Sequence, residues 1–208
     1  MSDRLSGFNI NEFKAQTKVK GFQKNNKFLV RFPLPRGFLN TPNFSKYAEI
    51  DKVLEYWCEG ATIPGVALSL TPINRYGYGA IEKKPSTPTF TDANFTFIGD
   101  GKSDNWLFFQ QWIRLIDNYD LRGGINPITG YVNGKPISPF EVSYKYEYAS
   151  DVNLIVFDDS GTETFNIILR DAYPIYMGQI PLNWADNNTI MKIPITFTFM
   201  DWYNASKF

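Results

Sequence analysis

Apolar and polar residues alternate with a period of two along most of this chain. The last such run is the clearest: Ile193, Ile195, Phe197 and Phe199 fall on one side, with Thr196 and Thr198 on the other. That is the pattern of a strand with one buried face. The same period places Phe28, Val30 and Phe32 together in KFLVRF, Val66, Leu68 and Leu70 in VALSLT, and Ala93, Phe95 and Phe97 in DANFTF. EVSYKYEY sets Val142, Tyr144, Tyr146 and Tyr148 against Glu141, Ser143, Lys145 and Glu147, which predicts another strand. VNLIVF, the turn DDSG and TETFNIIL predict a hairpin. VLEYWCEG reads as a strand too, behind a short helix over residues 44–52.

Helical spacing is confined to one segment. Ser103 or Asp104 offers an N-cap, and Trp106, Phe109, Ile113 and Ile116 follow at i, i+3, i+7 and i+10. This predicts a single main helix lying across the open face of a sheet. From Pro72 to Pro88 the pattern breaks into what reads as a long, irregular, charged loop, of a length that is usually functional or disordered. Residues 121–140, with four glycines and three prolines, read as an insertion. Seven or eight strands with turn signals between them predict a mainly β fold: an antiparallel β-sandwich or half-open barrel with one flanking α-helix. At 208 residues it fits one domain. A basic arm, residues 1–26, precedes a β domain, residues 27–208, with insertion loops near 33–52 and 121–140.

Charge sharpens this division. Lys plus Arg and Asp plus Glu each number 21, so the formal net charge is zero. Residues 1–36 nevertheless hold Arg4, Lys14, Lys18, Lys20, Lys24, Lys27, Arg31 and Arg36 against only Asp3 and Glu12, so these 36 residues carry +6 and the remainder −6. A basic arm on an acidic body fits a nucleic-acid contact, docking on a copy of the same protein, or a solvated tail.

The chemistry-bearing residues exclude more than they suggest. Without histidine there is no Ser-His or Cys-His pair and no usual metal ligand. Cys58, the lone cysteine, follows Tyr56 and Trp57 and reads as a buried, inert thiol. GDGKSDN resembles a phosphate loop, but the required first glycine is Thr96, so a turn and helix cap explain it. In DDSGTE the adjacent Asp158 and Asp159 do not supply the alternating acids of a calcium loop. Neither a cofactor nor a metal is expected, and no catalytic residue can be assigned. Tyr-rich strands leave a carbohydrate-binding β-sandwich as a reading of another class. A single cysteine, no leader-like start and no run near 20 apolar residues give the expectation of a soluble chain made in a reducing cytoplasm.

Three blocks, taken in order, resemble the inner tail tube protein of contractile-tailed bacteriophages. They are CEGATIPGVALSLTPINRYGYG, PTFTDANFTFIGDGKSDNWLFFQQWI and LRDAYPIYMGQIPLNWADNNTIMKIPITFTFMDW. The likeness covers most of residues 53–120 and 162–203; the arm, residues 33–52 and residues 121–140 are additions to the family pattern and inherit nothing from it. The resemblance implies a virion structural protein, made in the host cytoplasm, that forms six-membered rings stacked into a tube inside a contractile sheath. Its implied partners are itself, tail sheath, tape-measure and baseplate proteins, with DNA only in transit. A tube-like component of a baseplate or injection machine is the alternative. Under this reading Lys14, Lys18, Lys20, Arg75, Glu82, Lys83 and Lys84 are candidate inter-ring contacts, and Thr196 and Thr198 a candidate channel-lining face.

Overall fold

The computed structural model describes residues 10–39, 50–74, 77, 79–117, 119, 142–185 and 187–206. The insertion at 121–140, the first nine residues and most of the 44–52 segment lie outside that set. Among the described residues, helices α1 (Ile10–Lys20), α2 (Arg36–Leu39), α3 (Ile50–Trp57), α4 (Asp104–Ile116) and α5 (Lys145–Tyr148) accompany nine strands. These are β1 (Phe28–Arg31), β2 (Cys58–Ala61), β3 (Val66–Ile73), β4 (Glu82–Phe90), β5 (Ala93–Ile98), β6 (Ser150–Phe157), β7 (Glu163–Met177), β8 (Lys192–Thr198) and β9 (Asp201–Asn204).

Seven strands form one antiparallel sheet in the order β1-β6-β7-β8-β5-β2, with β9 also on β7, and β3 pairs only with β4. The long strand β7 makes the sheet curl. Its first half pairs with β6 and β9, and its last residues, from Tyr173, pair with β8. Between the halves Asp171 takes φ 52°, a left-handed conformation that Asp tolerates better than most residues. The Asp171 amide donates to Asp151 Oδ1 at 3.0 Å, which holds the bend. Ladder register slips nearby, between Ser150 and Val152 on β6 and between Pro174 and Tyr176 on β7. The ends of the curled sheet, β1 and β2, do not pair, so it stays a half-open barrel.

The core fills the curl with aromatic rings. Phe32, just past β1, lies 5.4 Å from Phe95 and from Phe97 of β5 and from Phe197 of β8, centroid to centroid. Such edge-on and tilted pairs are stabilised by their ring quadrupoles beyond simple burial. Helix α4 closes the open side with Phe108, Phe109 and Trp112, all fully buried, and the Trp112 indole N–H donates to Tyr148 O at 2.8 Å.

The alternation of Phe28 to Phe32, Ala93 to Phe97 and Ile193 to Phe197 and the hairpin around DDSG appear as expected. Four expectations are corrected. The buried residues of α4 are Asn105, Phe108, Phe109, Gln111, Trp112, Arg114 and Leu115, so of the spacing-based stripe only Phe109 is buried, and Trp106, Ile113 and Ile116 are half-buried. Apolar residues occur on more than one side of that segment, so the sheet selects the face. The cap comes from neither Ser103 nor Asp104: Ser103 has φ 59° and no side-chain cap bond, and Asp100 accepts from the Asn105 amide at 3.0 Å instead. VLEYW completes helix α3, which buries Ile50 and Leu54 one turn apart, and only CEGA is a strand. EVSYKYEY retains a single bridge, Val142 to Asp117, followed by the turn α5, because only Tyr148 finds a core to enter.

Candidate functional site

The region from Pro72 to Pro88, expected as an irregular loop, contains most of a β-strand. β4 pairs with β3 from Val66 opposite Phe90 to Ile73 opposite Glu82, with a bulge between Leu68 and Leu70. Prolines and charges disguised it. In a two-stranded ribbon every strand is an edge, so Pro85 and Pro88 lose no ladder bond if their nitrogens face outward. At the ribbon's root its two strands stay joined, the Gly65 amide donating to Thr91 Oγ1 at 2.8 Å and the Thr91 amide to Gly65 O at 3.1 Å.

Directly opposed residues share a face of a ladder. Val66 with Phe90, Leu68 with Pro88 and Leu70 with Pro85 therefore form an apolar face, while Ala67 with Thr89 and Thr71 with Lys84 form a polar one. Beyond Phe90, which is half-buried against Phe199 at the ribbon's root, neither meets a core. Val66, Leu68 and Leu70 are 55%, 59% and 54% exposed. An isolated two-stranded hairpin is marginal in water, and a continuous exposed apolar face marks an interaction surface.

A second projecting element is the arm. Helix α1 ends at Gly21, whose φ of 70° and amide bond to Thr17 O at 2.8 Å make an ordinary left-handed cap. Residues 22–27 then bind the β6–β7 turn: Gln23 Nε2 donates to Phe157 O at 3.1 Å, and Lys24 and Lys27 ammonium groups lie 2.7 and 3.2 Å from the Asp159 carboxylate. Hydrogen bonds from Lys24 and Lys27 hold the Asp159 carboxyl below its usual range. The neighbouring Asp158 is lowered as well, by the Ser160 hydroxyl first and then the Thr162 amide, which make it the anchor of the turn.

Two further surfaces complete the picture. Where β1 and β2 fail to meet, a pocket of about 320 Å³ opens among Phe28, Ala61, Ile63, Leu154, Val156 and Phe165. Between β7 and β8, Leu182 is 86% exposed and Trp184 fully so.

Of the residues singled out from sequence, Glu82, Lys83 and Lys84 open β4 and are exposed, and Lys14 and Lys18 are exposed on α1. Lys20 ends α1, and Arg75 lies outside the described residues. The arm's base is fixed at the β6–β7 turn by Lys24 and Lys27. Thr196 and Thr198 are half-buried on the face of β8 away from the core, and Thr196 Oγ1 donates to Asn94 Oδ1 at 2.8 Å. Sequence reasoning missed the ribbon's apolar face. The alternation of VALSLT was visible, but alternation cannot distinguish a core from an unfilled interface.

The Cys58 thiol donates to Gly60 O at 3.3 Å, and burial pushes its pKa up to about 12, the Gly60 and Thr96 backbone bonds opposing. Among the described residues no group of three His, Cys, Asp or Glu could hold a metal ion, and no helix is long and apolar enough to cross a membrane.

The family described as phage tail tube protein matches residues 23–205. Among solved structures, a chain of the anti-feeding prophage baseplate, six-fold symmetrised, is 11% identical with TM-score 0.57, over 89% of this chain and 96% of that one. A chain of the sheath-tube complex of an extracellular contractile injection system in the extended state is 16% identical with TM-score 0.51, over 93% and 97%. A chain of the anti-feeding prophage tube-terminating cap is 13% identical with TM-score 0.54, over 100% of both. At these identities the likeness is one of fold. No curated protein sequence matches.

Proposed function

Because this chain belongs to the phage tail tube protein family, we propose that it is the repeating subunit of a contractile tail tube, polymerising as stacked six-membered rings that conduct DNA into the host. The observation that carries this reading is the β3–β4 ribbon, whose apolar face lacks a core in the single chain. A neighbouring subunit is the natural cover for it, and the unpaired edges of β1 and β2 offer further ladder groups to the same neighbour. The subunit works by packing and performs no catalysis. Lys14, Lys18, Lys20, Arg75, Glu82, Lys83 and Lys84 lie at contacts between rings.

A conduit must pass DNA without retaining it. Lysine or arginine rings around the bore would release counterions and bind phosphate. The Thr196, Thr198 and Asn94 face of β8 and β5, whose Lys192 is paired with Glu59 at 2.7 Å, suits a channel wall, and the −6 of residues 37–208 repels the polyanion within a Debye length of roughly 8–10 Å. Sheath, tape-measure and baseplate proteins are the partners of this reading, and the virion tail is its location.

The likeness to a baseplate chain and to a tube-terminating cap favours one second reading, a single-ring component at a tube end. Sedimentation and electron microscopy of the purified protein over a range of concentrations separate the two. A repeating subunit grows into hollow tubes of indefinite length; an end component stops at one or two rings. A glycan-binding sandwich would remain monomeric and bind sugars.

A further inference from the structure

Helix α1 has no extensive contact with any strand or other helix, and its described side chains are exposed apart from half-buried Thr17. At 11 residues it is shorter than the roughly 12–15 that even good helix formers need in water. It therefore requires a surface. Ile10, Lys14 and Lys18 follow one another at i, i+4 and i+8 and so form one exposed ridge of the helix.

The mouth between β1 and β2 has the complementary chemistry. Its pocket is floored by Leu154 and Val156 and walled by Phe28, Ile63 and Phe165. One lip carries Glu163, paired across the ladder with Phe157. The other lip carries Asp92, set beside Ile63 by the bonds from Thr62 to Asn94 O and from Thr91 to Gly65 O. Both acids are exposed, and neither has an ion pair among the described residues, whereas Lys24 and Lys27 are already engaged by Asp159.

We propose that α1 of one copy lies in the β1–β2 mouth of a neighbouring copy, with Ile10 in the apolar pocket and Lys14 and Lys18 between Asp92 and Glu163. This rests on the reading of the chain as an assembling subunit. The contact joins two different surfaces, so it does not close on itself in a dimer and instead propagates as a ring or stack. Gln23 and Asn25 line the same pocket, so a copy's own strap borders the groove that receives its neighbour's helix.

A charge swap tests this docking. Lys14→Glu with Lys18→Glu should raise the concentration needed for assembly at least about tenfold, equivalent to roughly 1.4 kcal/mol. Asp92→Lys with Glu163→Lys should do the same, and the four changes together should restore assembly, with the circular dichroism of every variant unchanged. A photoreactive residue at position 10 should crosslink to the segments around Ile63 or Phe165 of another copy when labelled and unlabelled chains are mixed. If the wild type assembles but the fourfold variant stays as impaired as the first pair, or crosslinks fall within one chain or elsewhere on the neighbour, the docking is wrong while the subunit reading stands. If the wild type never assembles, both fall.

Discussion

Replacing Val66, Leu68 and Leu70 together with threonine separates folding from assembly most cleanly. Threonine keeps β-propensity, so the ribbon itself should persist. Each native side chain is already more than half exposed in the single chain, at 55%, 59% and 54%. Exposed positions of this kind change monomer stability by about 0.5 kcal/mol or less. Complete burial of such a side chain contributes about 1.5–3 kcal/mol, so the half still exposed is worth about 1 kcal/mol each when a neighbour covers it. The three together withdraw about 3 kcal/mol per interface, roughly a hundredfold in association constant. Sedimentation velocity across a concentration series should show the triple variant monomeric where the wild type assembles, with a melting temperature, measured below the assembly threshold, within a degree or two of wild type. Assembly at the wild-type concentration would refute the ribbon's role; a large drop in melting temperature would show that the ribbon serves the fold.

Three other outcomes follow from particular contacts. A Cβ at Gly37 would stand 2.8 Å from both Leu115 methyls and 2.9 Å from Glu147 O. Gly37→Ala should therefore cost about 1–3 kcal/mol in a denaturant titration. Cys58, with a pKa near 12, should resist alkylation at pH 8 in the folded protein and react at once in denaturant. Asp159 and Asp201 titrate below their ordinary range, through hydrogen bonds from Lys24 and Lys27 and from Arg170 respectively. Lowered carboxylate pKa values stabilise the fold above the unfolded value near 4 and lose that contribution as pH falls through the folded ones. Melting temperature should be flat from pH 7 to 5 and decline below about pH 4, and Asp201→Asn should flatten part of that decline.

The parts legible in sequence were those where one rule dominated. Ile193 to Phe197 alternates without interruption, and its strand and inward face are as read; its partners, β5 and β7, come only from the fold. The charge division marks a basic N-terminal segment, but nothing in it announces that Lys24 and Lys27 pair with Asp159. Illegible parts were those decided by tertiary context. VLEYW carries helix and strand signals at once, and burial of Ile50 and Leu54 settled it. Pro85 and Pro88 hid β4 because the usual exclusion of proline applies to strands with neighbours on both sides. A register between neighbouring copies, the cover proposed for the apolar ribbon, is written in no single chain.

Electron microscopy of the purified protein as concentration is raised tests the central claim most directly. The account predicts hollow tubes built of stacked rings, with a bore left open by its uncharged threonine and asparagine wall. Particles that remain single chains throughout, or that stop at one ring at every concentration, would contradict it.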